Sequence, residues 1–207
     1  MILVKCPLKS GITKANEIKW VKRTDDAVRA GIETTSSPLL RPIQLNLNMK
    51  LIPFTPEYYL LLISWIPDEV FNLLWGGPVY SWPLDTHQIQ KHQDRDDVTA
   101  FIVMIKGRPI GFIELIRENA DRVRLCRILV ADKADRGQGY GAALIQLTLG
   151  HIRDTSEAKS VSLGVFEKNT GAIKCYESLG FTIRSRDDAS TEFRAEAWPL
   201  IKMAREL

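Results

Sequence analysis

Leu129 to Leu144 reads LVADKADRGQGYGAAL, and the reading of this stretch decides the fold. An apolar strand end runs into charge, then into Gly137, Gly139 and Gly141, then into a helix-like run. Three glycines in five residues fit a plain surface turn poorly. Glycine tolerates positive φ and lets a ligand approach the main chain closely. A helix start just behind them adds unpaired N–H groups and a partial positive charge of about half a unit. Together these features predict a cradle for a diphosphate.

Two other phosphate-binding patterns compete for the same residues. Gly137-Gln138-Gly139-Tyr140-Gly141-Ala142 matches a dinucleotide fingerprint at its first, third and last positions. In that fold, however, the first glycine sits in the tight turn where the strand ends, whereas Ala131 to Arg136 intervene here. A P-loop is excluded because no Gly-Lys-Ser/Thr follows.

Around the loop, the 46–207 stretch reads as alternating strands and helices. Asn48 to Phe54 is a predicted strand. Thr55-Pro56-Glu57 opens a helix with Tyr58, Leu61, Leu62 and Trp65 on one face. Pro67-Asp68-Glu69 opens a second, stopped by Gly76-Gly77-Pro78, and Asp85 or Thr86 caps a third. Three antiparallel strands follow: Val98 to Ile105, Ile110 to Arg117 and Arg122 to Val130. After the glycine loop come a helix to about Arg153, a strand Val161 to Phe166, a helix from Asn169 to the Gly180 stop, and strands Phe181 to Arg186 and Trp198 to Ala204. The expected fold class is mixed α/β, a mostly antiparallel central sheet flanked by helices on both faces.

Residues 1–45 lack apolar periodicity and read as a poorly ordered extension, with Met49 a candidate natural start. They hold the basic excess, 8 Lys and Arg against 4 acidic residues, while the remainder has 20 against 21. A near-neutral main body does not suit nucleic acid. The longest apolar run, Tyr58 to Ile66, is far shorter than the roughly 20 residues of a membrane span. Cys6, Cys126 and Cys175 are sparse and lack metal-like spacing, which suggests a reducing, cytoplasmic setting. His87 and His92 are expected on the surface, with no metal site.

Arg136-x-x-Gly139-x-Gly141 resembles the pyrophosphate motif of the GNAT superfamily of N-acyltransferases. Asn169-x-x-Ala172-x-x-x-Tyr176-x-x-Leu179-Gly180-Phe181 is similar to that superfamily's second signature, and the resemblance covers about residues 46–207. It implies acetyl-CoA as co-substrate, a primary amine of a small molecule or peptide as acceptor, and a monomer or homodimer. It places Arg136, Gly137, Gln138, Gly139, Tyr140, Gly141 and Ala142 around the pyrophosphate. Leu129 and Val130 would form a strand edge splayed from Val161 to Phe166, with the pantetheine in the gap. Asn169 would be both helix cap and cofactor contact. Tyr176 occupies the position of the acid that protonates the leaving thiolate. The family's strand glutamate is missing, since Ser162-Leu163-Gly164-Val165 stands there. Glu114 is the nearest candidate base, with Arg127 its obvious alternative partner. Trp75, Tyr80 and Trp82 are candidates for the acceptor's entrance, and Cys126 and Cys175 are expected in the core. The rival readings are a non-catalytic acyl-CoA-binding regulator and a nicotinamide-dependent enzyme.

Overall fold

The computed structural model describes residues 49–188 and 191–207; the extension read in residues 1–45 lies outside them. The described chain forms β1 (Met49–Pro53), α1 (Tyr59–Ser64), α2 (Glu69–Gly76), α3 (Thr86–Gln93), β2 (Val98–Ile105), β3 (Arg108–Asn119) and β4 (Arg122–Val130). It continues with α4 (Tyr140–Thr155), β5 (Ser160–Phe166), α5 (Thr170–Ser178), β6 (Thr182–Asp187), β7 (Glu192–Phe193), β8 (Glu196–Ala197) and β9 (Leu200–Glu206). Seven strands make one sheet in the order β1-β2-β3-β4-β5-β9-β6. All neighbours run antiparallel except β4 and β5. A dinucleotide-binding sheet is mostly parallel, so this topology removes that rival.

Alternation along the strands divides the core in two. On one face Ile113, Leu115 and Leu125 pack under α4 and α5 with Leu144, Ile145 and Cys175. On the other, Ile102, Phe112 and Leu129 meet Leu62, Phe71, Trp75 and Ile89 of the three early helices. Adjacent Phe112 and Ile113 thus serve opposite cores.

Short carboxylate caps start the early helices. Asp68 Oδ1 accepts from the Phe71 amide and Asp85 Oδ1 from the Gln88 amide, each at 2.8 Å. Thr55 makes no such side-chain bond; the chain enters instead through a tight turn at Pro56–Tyr58 with three residues per turn. That winding shifts the phase of α1: Leu62 is buried as expected, but Tyr59 and Ile66 are buried in place of Tyr58, Leu61 and Trp65. The hairpin β7–β8 escaped the sequence because its strands are two residues each. Among the described residues, no helix is long and apolar enough to cross a membrane.

Candidate active site

The glycine loop is built to stay open. Gly137 and Gly139 sit at φ +79° and +89°, left-handed values that strain any other residue. Gly139 caps α4, its carbonyl accepting from the Ala143 amide at 3.0 Å. The amides of Tyr140, Gly141 and Ala142 then lie in the first turn, where no intrahelical acceptor exists. Gly137 and Gln138 are exposed; Gly141 is buried against the sheet.

Arg136 faces inward. Its Nε donates to the Val130 carbonyl at 3.0 Å and its Nη2 to the Ala131 carbonyl at 2.8 Å, with the guanidinium 5.6 Å from the Phe71 ring centre. Burial lowers its pKa from the usual guanidinium value. Arg136 therefore fastens the loop to the strand end. On the other side Asp135 receives two hydrogen bonds from Arg108, at 2.9 and 3.1 Å.

β4 and β5 pair only from Arg122–Ser160 to Leu125–Leu163. Beyond that point β4 keeps β3 as its partner and leaves β5. The departure coincides with a bulge: the β3–β4 register slips between Phe112 and Glu114, and Arg127 adopts φ +51°. Trp75 Nε1 donates to the Arg127 carbonyl at 2.9 Å and holds the bulge. Close approach continues to the strand end, where a Cβ on Gly111 would fall 2.2 Å from the Leu129 carbonyl oxygen. Leu129 and Val130 bury their side chains, so the main-chain edge is what they offer the gap. The Ala131 amide donates to Ile110 on β3. Strand alternation then turns the Val130 N–H away from β3, toward the gap.

A cavity of about 300 Å³ opens at the splayed strands, with Trp75, Arg124, Cys126, Arg127, Asn169 and Tyr176 among its lining. Asn169 is buried and caps α5, its Oδ1 accepting from the Ala172 amide at 3.3 Å. Tyr176, about two turns further, is 5% exposed, and burial raises its phenol above the usual tyrosine pKa. Cys126, expected in the core, is half-buried and lines this cavity; burial pushes its thiol up to about 11. Cys175 is enclosed in the core, as expected.

Glu114 lies on the face of the early helices and is 0% exposed. It pairs with Arg127, the partner expected from the sequence, and with His92 Nε2 at 3.0 Å. Its second carboxylate oxygen is buried without a hydrogen-bond partner. The Arg127 guanidinium lies 5.0 Å from the Tyr80 ring centre, and Tyr80 stacks on Trp75 at 5.7 Å. His92 is therefore not the surface residue expected. It follows Ile89 by three positions on α3, so the face that docks Ile89 docks His92 too. His87 is exposed, as expected. The three expected aromatics also separate: Trp75 lines the cavity, Tyr80 packs behind it, and Trp82 is 41% exposed outside the lining. Among the described residues, no group of three His, Cys, Asp or Glu side chains could hold a metal.

A glycine loop at a helix start, a splayed pair of parallel strands and a buried tyrosine thus lie along one strand. The sequence model described as the acetyltransferase (GNAT) family matches residues 67–181, more than half of the chain. The protein belongs to that family. Mycothiol acetyltransferase of Thermobispora bispora is 34% identical over 108 residues, 49% of this chain and 36% of that protein. The chain thus spans little more than a third of that relative's length. Aminoglycoside N(6')-acetyltransferase type 1 of Klebsiella pneumoniae is 25% identical over 135 residues, 58% of this chain and 67% of that protein. Among solved structures, spermidine N-acetyltransferase from Vibrio cholerae in complex with CoA and spermine superposes with a TM-score of 0.67 at 17% identity, covering 77% of this chain and 95% of that one. The likeness is one of fold.

Proposed function

We propose that this protein is an acetyl-CoA-dependent N-acetyltransferase that moves the acetyl group directly to a primary amine. The observation that carries the reading is the unpaired half of β4. It joins the glycine loop at one end to the Tyr176 cavity at the other. The first-turn amides around Gly139 to Ala142 would hold the pyrophosphate, with Gly137 and Gln138 beside it and Arg136 holding the loop in shape. Asn169 would meet the pantetheine arm at the start of α5. Relatives named for mycothiol, aminoglycoside and spermine acetylation support an amine as acceptor.

The co-substrate supplies a thioester carbonyl. Attack by the amine nitrogen forms the C–N bond, breaks C–S and leaves the electron pair on sulfur. The Val130 N–H faces the gap where the oxyanion develops; one such donor is typically worth about 10²–10³ in rate. Tyr176 gives its proton to the leaving sulfur. The phenol is protonated at neutral pH, as an ordinary tyrosine is, so it carries the proton this step needs. Glu114, the candidate base, is fully enclosed and paired with Arg127 and His92, so it holds those side chains in place and the amine's proton leaves through water. A cytoplasmic setting suits thiols such as Cys126 and Cys175 that form no disulfide among the described residues.

The test is CoA-thiol release from acetyl-CoA over a panel of primary amines. Amine-dependent release is expected. Tight acetyl-CoA binding without turnover on any amine would instead identify a non-catalytic acyl-CoA-binding regulator.

A further inference from the structure

The charged residues lining the cavity beside Tyr176 are Arg95, Arg124 and Arg127; among the described residues, no Asp or Glu lines it. The carboxylates that pair with these arginines stand outside the lining. Asp97 binds Arg95 at 2.6 Å, Glu118 lies 3.5 Å from Arg124 Nε, and Glu114 holds Arg127 from the buried side. Arg124 and Arg127 each carry a buried Nε without a hydrogen-bond partner. Arg127 is enclosed and held by Glu114, whereas the Arg124 side chain is 44% exposed and is the one that can turn its terminal N–H groups to the cavity.

These arginines are badly placed for a diphosphate. Arg124 precedes Val130 by six residues, about 20 Å of strand, so it lies at the end of β4 remote from the glycine loop. A polyamine or aminoglycoside brings several ammonium groups, which need carboxylates or carbonyls around them. A planar guanidinium instead matches a carboxylate.

Resting on the acetyltransferase reading, we propose that the acceptor is a primary amine that also carries a carboxylate, received by Arg124 while its amine points toward the gap beside Tyr176. The fork of Arg124 takes the carboxylate oxygens. Arg127, pinned by Glu114 and the Tyr80 ring, fixes the side from which the amine enters.

The experiment measures acetyl-CoA-dependent thiol release for L-amino acids and short acidic peptides, each against its own C-terminal amide, with spermidine and kanamycin as polycations. An amine beside a neutral amide sheds its proton more readily than one beside a carboxylate, so chemistry alone favours the amides. The expected result is the reverse, with kcat/KM at least tenfold higher for the acids than for their amides. Arg124→Gln should cut the acid-to-amide ratio about tenfold, mainly through KM. Glu118→Gln, which removes the carboxylate competing for Arg124, should lower KM for the acids. Better turnover of spermidine or kanamycin than of every carboxylate-bearing amine overturns the inference while leaving the acetyltransferase reading intact. So does an acid-to-amide ratio unchanged in Arg124→Gln. No turnover on any amine overturns both.

Discussion

The two halves of β4 differ in one respect that matters. Arg122 to Leu125 is paired on both sides, to β3 and β5; Cys126 to Val130 is paired to β3 alone. Both halves mix arginine with aliphatic residues, so composition does not separate them. The break is the bulge at Arg127, which turns the strand off its parallel neighbour. Main-chain groups so exposed must still find partners. Two carbonyls of the unpaired half obtain them from side chains: Arg127 from Trp75 Nε1 and Val130 from Arg136 Nε. The paired half is scaffold. The unpaired half is a strand edge held open by borrowed donors.

The sharpest way to break this comparison is chemical. Tyr176→Phe removes the proton donor at the open half and keeps the ring packed against Phe181. Turnover at saturating acetyl-CoA should fall by about 10²–10⁴, the usual range for a positioned acid, with little change in the Kd for acetyl-CoA. Unchanged turnover would remove Tyr176 from the mechanism.

The next largest effect lies in the support of the bulge. Glu114→Gln leaves Arg127 buried without its counter-charge, and breaking a buried pair this way costs about 3–5 kcal/mol. Urea unfolding followed by circular dichroism reads the loss. Glu114→Leu combined with Arg127→Met exchanges the pair for apolar volume and should recover more than half of it. Activity should stay low in the double variant if Arg127 serves the acceptor. Restored stability with restored activity would make the pair a packing device only.

How legible these parts were in the sequence follows from their range. The glycine loop, Asn169 and the position of Tyr176 are local patterns, each set by a turn or a helix end a few residues away. The succession of strands and helices along the chain was also readable, since alternation and turns mark each strand; the insertion of β9 between β5 and β6 was not. The splay was expected only through resemblance, because a bulge at Arg127 depends on what β3, Trp75 and Glu114 place beside it. His92 was misread because burial on α3 is decided by the face that docks, and a helix of eight residues, mostly polar, carries little amphipathic signal. Arg124 and Arg127 were visible as strand arginines that left no base on β4. Their place on a cavity wall needed the register. Trp82 looked like its neighbour Trp75 in sequence but falls past the end of α2, on the solvent side.

Cys126 tests whether the open half is dry. Its thiol is shifted from 9.0 to about 11, chiefly by desolvation. Only the thiolate alkylates, so two units of upward shift mean about a hundredfold less reactive species. Iodoacetamide at pH 7.5, followed by peptide mapping, should modify Cys126 about a hundredfold more slowly than an exposed cysteine in a peptide. The rate should climb about tenfold per pH unit until it levels near pH 11. A rate equal to the peptide's would mean that water fills the gap freely.

The smallest effects compare two glycines of one helix. Gly139 caps α4 at φ +89°, while Gly150 sits inside the helix with nothing within 4 Å of an added Cβ. Alanine at 139 must hold a left-handed conformation, at about 1–2 kcal/mol, or relax and move the first-turn amides. Either course should weaken acetyl-CoA binding by about 5- to 30-fold, read by calorimetry. Alanine at 150 adds helix propensity of about 0.5–1 kcal/mol and should raise Tm with the Kd unchanged. If both variants bind acetyl-CoA equally well, the left-handed turn at 139 is ordinary loop geometry and the diphosphate lies elsewhere. If only Gly139→Ala loses affinity, the shape of the loop, rather than the helix behind it, is what the co-substrate reads.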